Sequence, residues 1–197
     1  MFVIFLSLDH SIKRMNEILY KPRTGAELLE ATPCSKLALY SYICDSAQRT
    51  GAYNTIRNMM KQSYKWFVLL QSPMDPLLGH WMALNIIPEK KEIYFFSSYG
   101  GRPDFEKNEW LPEDMRIASR QNTNAFNDAL KYMMRQMGWK VHYNDHPYQI
   151  KGDHTATCGI WAAAFLNSMM NPDEFYWFNQ FHHLGAEDYY KMFFVRN

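Results

Sequence analysis

Three short apolar runs in the middle of the chain constrain its fold more than any other feature. They are KWFVLL (Lys65 to Leu70), HWMALNII (His80 to Ile87) and EIYFFSS (Glu92 to Ser98). Each run is rich in aromatic or branched residues and is bounded by polar segments, which is typical of β-strands. A compact polar link, PEKK, joins the second run to the third. The sequence therefore predicts an antiparallel hairpin at the centre of the fold.

The residues ahead of these strands have helical patterns. Asp9 and Ser35 are each suited to cap a helix, because a short oxygen-bearing side chain can accept a bond from a free backbone N–H. The inward positions would be Ile12, Met15, Ile18 and Leu19 in the first helix, and Leu37, Leu39, Tyr40 and Ile43 in the second.

The residues behind the strands return to helices after one more strand. NAFNDALKYMMRQMG predicts a helix that stops at Gly138, and WKVHYND predicts a strand. A further helix should begin at Cys158 and end near Pro172, and the aromatic tail suits two short helices. This order predicts an α+β fold with a small, mostly antiparallel sheet between helices. No linker or repeat divides the chain, so residues 1–197 should form a single domain.

Composition argues against several function classes. Lys and Arg number 21 and Asp and Glu 20, so the net charge of +1 gives no global attraction to nucleic acid or membranes. Lys61 with Lys65, or Arg116 with Arg120, are only weak candidates for a DNA track. No apolar stretch approaches the roughly 20 residues of a membrane span. Three cysteines are an odd number and too few for a disulfide scaffold. We expect a soluble, non-secreted monomer.

The stretch HTATCGIWAAAFL contains the strongest candidate for chemistry. A cysteine in the first turn of a helix meets unpaired N–H groups and the positive end of the helix dipole, which favour the thiolate. The alternative is that Cys158 is a small buried hydrophobe, as most isolated cysteines are. His80 favours the catalytic interpretation, because it begins a strand, where a rigid element would hold its ring for a thiol to approach.

Three segments carry a family resemblance. GHWMA from Gly79, YFFSSYG from Tyr94 and CGIW from Cys158 resemble, in order and spacing, the cysteine proteases of the adenain and ubiquitin-like-protein-protease clan. Small capsid-maturation proteases of DNA viruses, virophages and related transposons look like the nearest group. The resemblance implies that Cys158 is the nucleophile and His80 the general base. It also implies a glutamine that polarises the scissile carbonyl, best matched by Gln149.

One position departs from this pattern. The family has a carboxylate or amide that orients the histidine, and the matching residue here is Ser97. A hydroxyl can accept an imidazole N–H bond but supplies no negative charge. Either Ser97 orients a working Cys158/His80 pair, or another carboxylate such as Asp104 folds in. Glu92 is a poor substitute, since five residues along a strand put it on the face opposite Ser97.

The resemblance implies a cysteine endopeptidase that cleaves beside glycine or other small residues in capsid or core precursors. Such an enzyme would act in the virion and in the host cytoplasm or viral factory. Trp81 would then wall the substrate channel, although packing in the core is an equal alternative. No cofactor is expected: adenain is activated by a peptide disulfide-linked just upstream of the glutamine, and residues 45 to 157 contain no cysteine.

Three rival interpretations stay open. The same fold could deconjugate a ubiquitin-like modifier or transfer acetyl groups, or it could be a silent peptide-binding module, which Ser97 keeps plausible. The spacing of His142, His146, His154 and Cys158 imitates a zinc pattern. If VHYND is a strand, however, the first two histidines would stand roughly 13 Å apart, too far to share one ion.

Overall fold

A five-stranded sheet forms the centre of the protein, and its strands lie in chain order. The computed structural model describes residues 13, 15–72, 79–118, 124–144, 146–150, 155–168 and 185–195. The strands are β1 (Ser35–Leu39), β2 (Lys65–Gln71), β3 (Gly79–Ile87), β4 (Glu92–Ser97) and β5 (Lys140–Tyr143). Strands β2, β3 and β4 pair antiparallel, whereas the outer pairs β1/β2 and β4/β5 are parallel.

The predicted hairpin is confirmed. Strands β3 and β4 pair from Met82 opposite Ser97 to Ile87 opposite Glu92. Their link is one short 3-10 turn that ends at Lys91, whose φ of 52° closes it in the left-handed region. All residues of β4 are buried, because helices cover both faces of the sheet. This double burial explains why the central runs are continuously apolar and not alternating.

Helices pack on both faces of the sheet, as the α+β prediction requires. They are α1 (Gly25–Ala31), α2 (Tyr40–Thr50), α3 (Ala52–Met60), α4 (Pro103–Trp110), α5 (Glu113–Ala118), α6 (Ala125–Met137), α7 (Cys158–Ser168) and α8 (Ala186–Phe194). Helices α1, α7 and α8 share a buried cluster with one face, and α2, α3 and α6 share a second cluster with the other. Helix α6 ends at Gly138, whose φ is 69°, as predicted.

The helix predicted to begin at Ser35 is wrong. Residues Ser35–Leu39 form strand β1, and α2 begins only at Tyr40. The stretch gains a parallel ladder with β2, and the Ser35 hydroxyl donates to the Thr32 carbonyl (2.7 Å) in place of capping a helix. Leu37 and Leu39 are consequently 38% and 42% exposed on an edge strand. Tertiary pairing has overridden a local helical pattern here.

The two ends of the chain agree with the predictions in part. Residues 15–20 are helical, with Ile18 fully buried, but Met15 is 40% exposed and not inward as predicted. Asp9 and Pro172, the predicted boundaries of two helices, lie outside the described residues, as does most of the first half of the aromatic tail. Within the described ranges, none of the helices has the length and apolar character of a membrane span.

A buried ion pair within α4 is hydrogen-bonded to the first turn of α6 and to the residue ahead of it. The Asp104 carboxylate accepts a hydrogen bond from the backbone N–H of Asn127 (2.9 Å), and its other oxygen lies 3.8 Å from Lys107 Nζ. Lys107 is fully buried and also donates to the Asn124 side-chain oxygen (3.1 Å). Burial raises the pKa of Asp104 to about 6, although Lys107 and the Asn127 N–H oppose the rise. The hydrogen bond and ion pair of Asp104 thus belong to this cluster and not to His80.

Replacing Asp104 by Asn should flatten the stability profile between about pH 4 and pH 6. A folded-state pKa above the ordinary value means that the folded chain holds this proton more tightly, so stability falls as pH rises through that window. Urea unfolding midpoints at half-unit steps of pH measure the slope. Asp128→Asn, which removes an exposed carboxylate paired with Lys131, is the matched control. An unchanged slope in Asp104→Asn would contradict the assignment.

Candidate active site

Cys158 is the first residue of α7, as predicted. The Thr157 carbonyl accepts the first helical hydrogen bond, from the N–H of Trp161 (3.1 Å). The N–H groups of Cys158 and Gly159 therefore have no acceptor within the helix and point towards its N-terminal end, where the thiol lies. A methyl group at Gly159 would come within 3.0 Å of Arg23 Cβ, so glycine is what allows the chain to pack closely behind the nucleophile.

His80 is the second residue of β3 and is only 4% exposed. Its Nε2 lies 3.0 Å from the Ser97 hydroxyl oxygen. The two side chains meet because Met82 is opposite Ser97 in the hairpin, and residues two apart on a strand share a face. Tyr99 stacks on the imidazole, with ring centroids 4.6 Å apart, and its N–H donates to the Ser97 hydroxyl oxygen (3.2 Å).

The thiol and the imidazole form one unit. Burial raises the pKa of the Cys158 thiol, but the hydrogen bond and charge of His80, together with the N–H groups of Trp81 and Gly159, outweigh it. The net effect is a pKa below the ordinary cysteine value. Since Nε2 of His80 is engaged with Ser97, Nδ1 is the nitrogen left for the sulfur. A lowered pKa increases the share of thiolate, which is the reactive form of a cysteine.

The structure brings Ser97, and neither of the two carboxylates considered from sequence, to the far side of His80. Ser97 is fully buried. Glu92 lies at the other end of β4, where it accepts a hydrogen bond from the Tyr94 hydroxyl (2.6 Å). Asp104 is held in the α4–α6 cluster described above. The group that faces the imidazole is therefore neutral, and its influence on His80 is orientation without charge compensation.

Gln149 connects the end of β4 to the segment just ahead of Cys158. Its side-chain oxygen accepts from the Ser98 hydroxyl (3.0 Å), and its amide nitrogen donates to the carbonyl and hydroxyl oxygens of Thr155 (2.6 and 3.2 Å). The residue is 3% exposed. These bonds bring Gln149 close to Cys158, because Thr155 lies three residues before Cys158 in the chain. Its role as an oxyanion donor stays a prediction.

Trp81 packs in the core beside the nucleophile. Its indole N–H donates to the Arg23 carbonyl (2.9 Å), and its ring meets Phe67 edge-on at 6.3 Å. Trp81 and Cys158 belong to the same buried cluster, and only 8% of Trp81 is exposed. The structure therefore gives the ring a packing role, while its role as a wall of the substrate channel stays a prediction.

Sequence reasoning missed the contacts that hold the site from outside. The N–H of Ala156, two residues before the nucleophile, donates to the Leu19 carbonyl (2.5 Å). The Arg23 guanidinium lies 5.0 Å from the centre of the Tyr190 ring, which joins the same N-terminal region to α8. Such contacts join segments far apart in the chain, so no local pattern predicts them. Tyr99 could have been predicted from the sequence, because it is an aromatic residue that follows the end of β4 at Ser97, and residues there lie beside His80.

The histidines of the rival zinc pattern have other partners. His142 stacks on Tyr94, with ring centroids 4.4 Å apart, and its Nε2 lies 3.9 Å from a Glu92 carboxylate oxygen. His146 meets Tyr148 edge-on. Within the described ranges, no three His, Cys, Asp or Glu side chains come together in a way that could hold a metal ion. His154 lies outside those ranges.

Comparison with known proteins gives partial similarities. No protein-family model matches the chain. An uncharacterised protein, V9, of Sputnik virophage is 31% identical over 88 residues, which are 45% of this chain and 47% of that protein. The matched segment thus spans about half the length of the virophage protein.

Solved structures with a similar backbone include a SUMO protease and a bacterial effector. The C-terminal Ulp1 protease domain in complex with Smt3, the yeast ortholog of SUMO, is 18% identical, with 84% of this chain and 67% of that chain covered and a TM-score of 0.36. The Chlamydia abortus effector ChlaDUB is 15% identical, with 82% and 79% covered and a TM-score of 0.30. Both TM-scores lie below 0.5, so the chemistry proposed for this chain rests on its own side chains.

Removing the imidazole should make Cys158 less acidic. In His80→Ala, burial would act on the thiol without the opposing charge and hydrogen bond, so the pH midpoint of iodoacetamide alkylation at Cys158 should rise. Site-resolved mass spectrometry measures the modified fraction against pH. His142→Ala, which removes a half-buried histidine from the Glu92 cluster, is the matched control and should leave the midpoint in place. Equal midpoints in all three chains would refute a Cys158/His80 pair.

Proposed function

We propose that this chain is a cysteine endopeptidase whose nucleophile is Cys158 and whose general base and acid is His80. The observation that carries the proposal is the thiol at the start of α7, hydrogen-bonded to an imidazole that β3 holds and Ser97 engages from behind. A reactive cysteine needs an adjacent base and a lowered pKa, and a base needs a third group that fixes its ring. The side chains of Cys158, His80 and Ser97 are all buried and lie on regular secondary structure.

The proposed reaction is acyl transfer followed by hydrolysis. The Cys158 thiolate attacks a peptide carbonyl, and the developing oxyanion is stabilised by the Cys158 N–H together with the Gln149 amide, which would give up one of its two bonds to Thr155. His80 then gives its proton to the leaving amine, and a thioester remains on Cys158. Water, deprotonated by His80, hydrolyses the thioester and restores the free thiol. Ser97 keeps the imidazole in the ring orientation that both proton transfers require.

The proposed substrates are capsid or core precursor proteins, cleaved beside glycine or another small residue. Two observations support a viral setting: the motif resemblance to capsid-maturation proteases, and the 88-residue similarity to a virophage protein. The near-complete burial of Cys158 and His80 supports small residues at the cleavage point, because little of the thiol surface is open to a bulky substrate side chain. The enzyme is proposed to act as a monomer, as one domain, and without a cofactor.

Co-expression with candidate capsid proteins from the same genome tests the proposal directly. The wild-type chain should shorten one of them, and intact-mass spectrometry should give the cut position, whereas Cys158→Ala should abolish cleavage. Cys44→Ala is the matched control, because Cys44 is a second buried thiol that forms no disulfide and lies in the other core cluster. Cleavage that survives Cys158→Ala would eliminate Cys158 as the nucleophile. No cleavage by the wild-type chain would contradict capsid processing and favour deconjugation or a silent binding module.

Ser97→Asp should preserve or raise turnover. A carboxylate in place of the hydroxyl would keep the contact to His80 Nε2, which now measures 3.0 Å, and would add the negative charge that stabilises an imidazolium. Steady-state cleavage of the peptide identified by co-expression gives kcat and KM for both chains. Ser97→Asn, which has the size of the aspartate and carries no charge, is the matched control that separates the charge from the contact. A large loss of kcat in Ser97→Asp, with the fold intact, would mean that this position does not orient the base.

A further inference from the structure

The peptide of Ser97 is held by a side chain that comes from beyond the sheet. Strand β5 pairs with β4 only as far as Tyr143 opposite Phe95. The next residue, Asn144, takes over with its side chain: its Oδ1 accepts from the Ser97 N–H (2.9 Å), and its Nδ2 donates to the Ser97 carbonyl (2.7 Å). In an extended strand, the N–H and C=O of one residue point to the same edge, so one amide can engage both. Asn144 thereby continues the ladder where backbone pairing stops.

The third bond of this amide fixes which way it faces. Nδ2 also donates to the His146 carbonyl (3.0 Å), so both amide hydrogens and the amide oxygen are engaged. A rotated amide would set its oxygen against two carbonyl oxygens, which is unfavourable. Asn144 is 1% exposed, so water does not compete for these bonds. Such a fully satisfied buried amide specifies one local geometry.

We propose that Asn144 is a positioning residue of the active site, which holds the end of β4 so that the Ser97 hydroxyl stays against the His80 ring. The chain of contacts runs from the Asn144 amide to the Ser97 peptide, from the Ser97 hydroxyl to Nε2 of His80, and from His80 to the Cys158 thiol. Without the clamp, the Ser97 peptide would keep its pairing with β3 but lose its hold on the β5 side, and only the Tyr99 N–H and the His80 ring would still fix the hydroxyl. The inference rests on the proposed function, because it takes Cys158 and His80 as the working pair.

The pH midpoint of Cys158 alkylation tests this inference without any substrate. Asn144→Ala should raise the midpoint by about half a pH unit, since losing an ordinary hydrogen bond is a change of this order. Asn144→Leu keeps the approximate size but removes the donors and the acceptor and adds no charge, so it should shift the midpoint in the same direction. Asn167→Ala is the matched control: it removes another asparagine clamp, which ties α7 to Ala31 and Thr32, and should leave the midpoint unchanged.

A double-mutant cycle separates positioning from a merely structural role. If Asn144 acts through the Ser97 hydroxyl, then Ser97→Ala should itself raise the midpoint, and adding Asn144→Ala to it should change nothing further. An unshifted midpoint in folded Asn144→Ala or Asn144→Leu would overturn the inference. So would a shift of the same size in the Ser97→Ala background.

The failure of this inference is distinguishable from the failure of the proposed function. Alkylation requires only the thiol and a small reagent, so the cycle can be read even if the wild-type chain cleaves no peptide. A chain that cleaves its substrate but shows no coupling between Asn144 and Ser97 would remove Asn144 alone from the site. Circular dichroism and urea midpoints, measured on each variant, establish that the comparison is made between folded chains.

Discussion

The antiparallel pairing of β3 with β4 is the interaction on which the site depends. Its register, with Met82 opposite Ser97, is what brings the His80 ring and the Ser97 hydroxyl to one face at one end of the sheet. A slip of one residue would turn His80 to the other face, because side chains alternate along a strand. The register is strongly specified, since both strands bury aromatic and aliphatic side chains on both faces. The apolar core and the candidate chemistry are therefore fixed by the same hydrogen bonds.

Around this hairpin, the site is assembled from element ends. Cys158 begins α7, His80 lies near the beginning of β3, and Ser97 ends β4. Element ends carry backbone groups that the element itself leaves unpaired, and here these groups serve the side chains: free N–H groups lie beside the thiol, and the last peptide of β4 accepts an asparagine clamp. The interior of each element supplies rigidity, and its end supplies polarity.

The parts of this arrangement that the sequence predicted are those with a local cause. The hairpin follows from two apolar runs with a compact link, and α7 follows from Cys158 and a run of small apolar residues. Strand β1 could not be predicted, because SKLAL becomes a strand only through its parallel partner β2. The clamp by Asn144 has the same kind of cause: it depends on a crossover from β4 to β5, which no local pattern encodes. The available signal in the sequence for this clamp was Asn144 itself, a polar residue directly after the strand VHY.

The distance along the chain between His80 and Cys158 has a consequence for folding during synthesis. The two side chains come from segments far apart in the chain, on either side of the crossover between β4 and β5, and the segment ahead of the thiol is further tied to the Leu19 carbonyl. Contacts between distant residues form late, because closing long loops costs entropy before any contact offsets it. A chain still emerging from the ribosome, with α7 not yet released, contains an imidazole and no thiol beside it. The pair can therefore form only after Cys158 has left the ribosome, so a shorter nascent chain has His80 without its partner thiol.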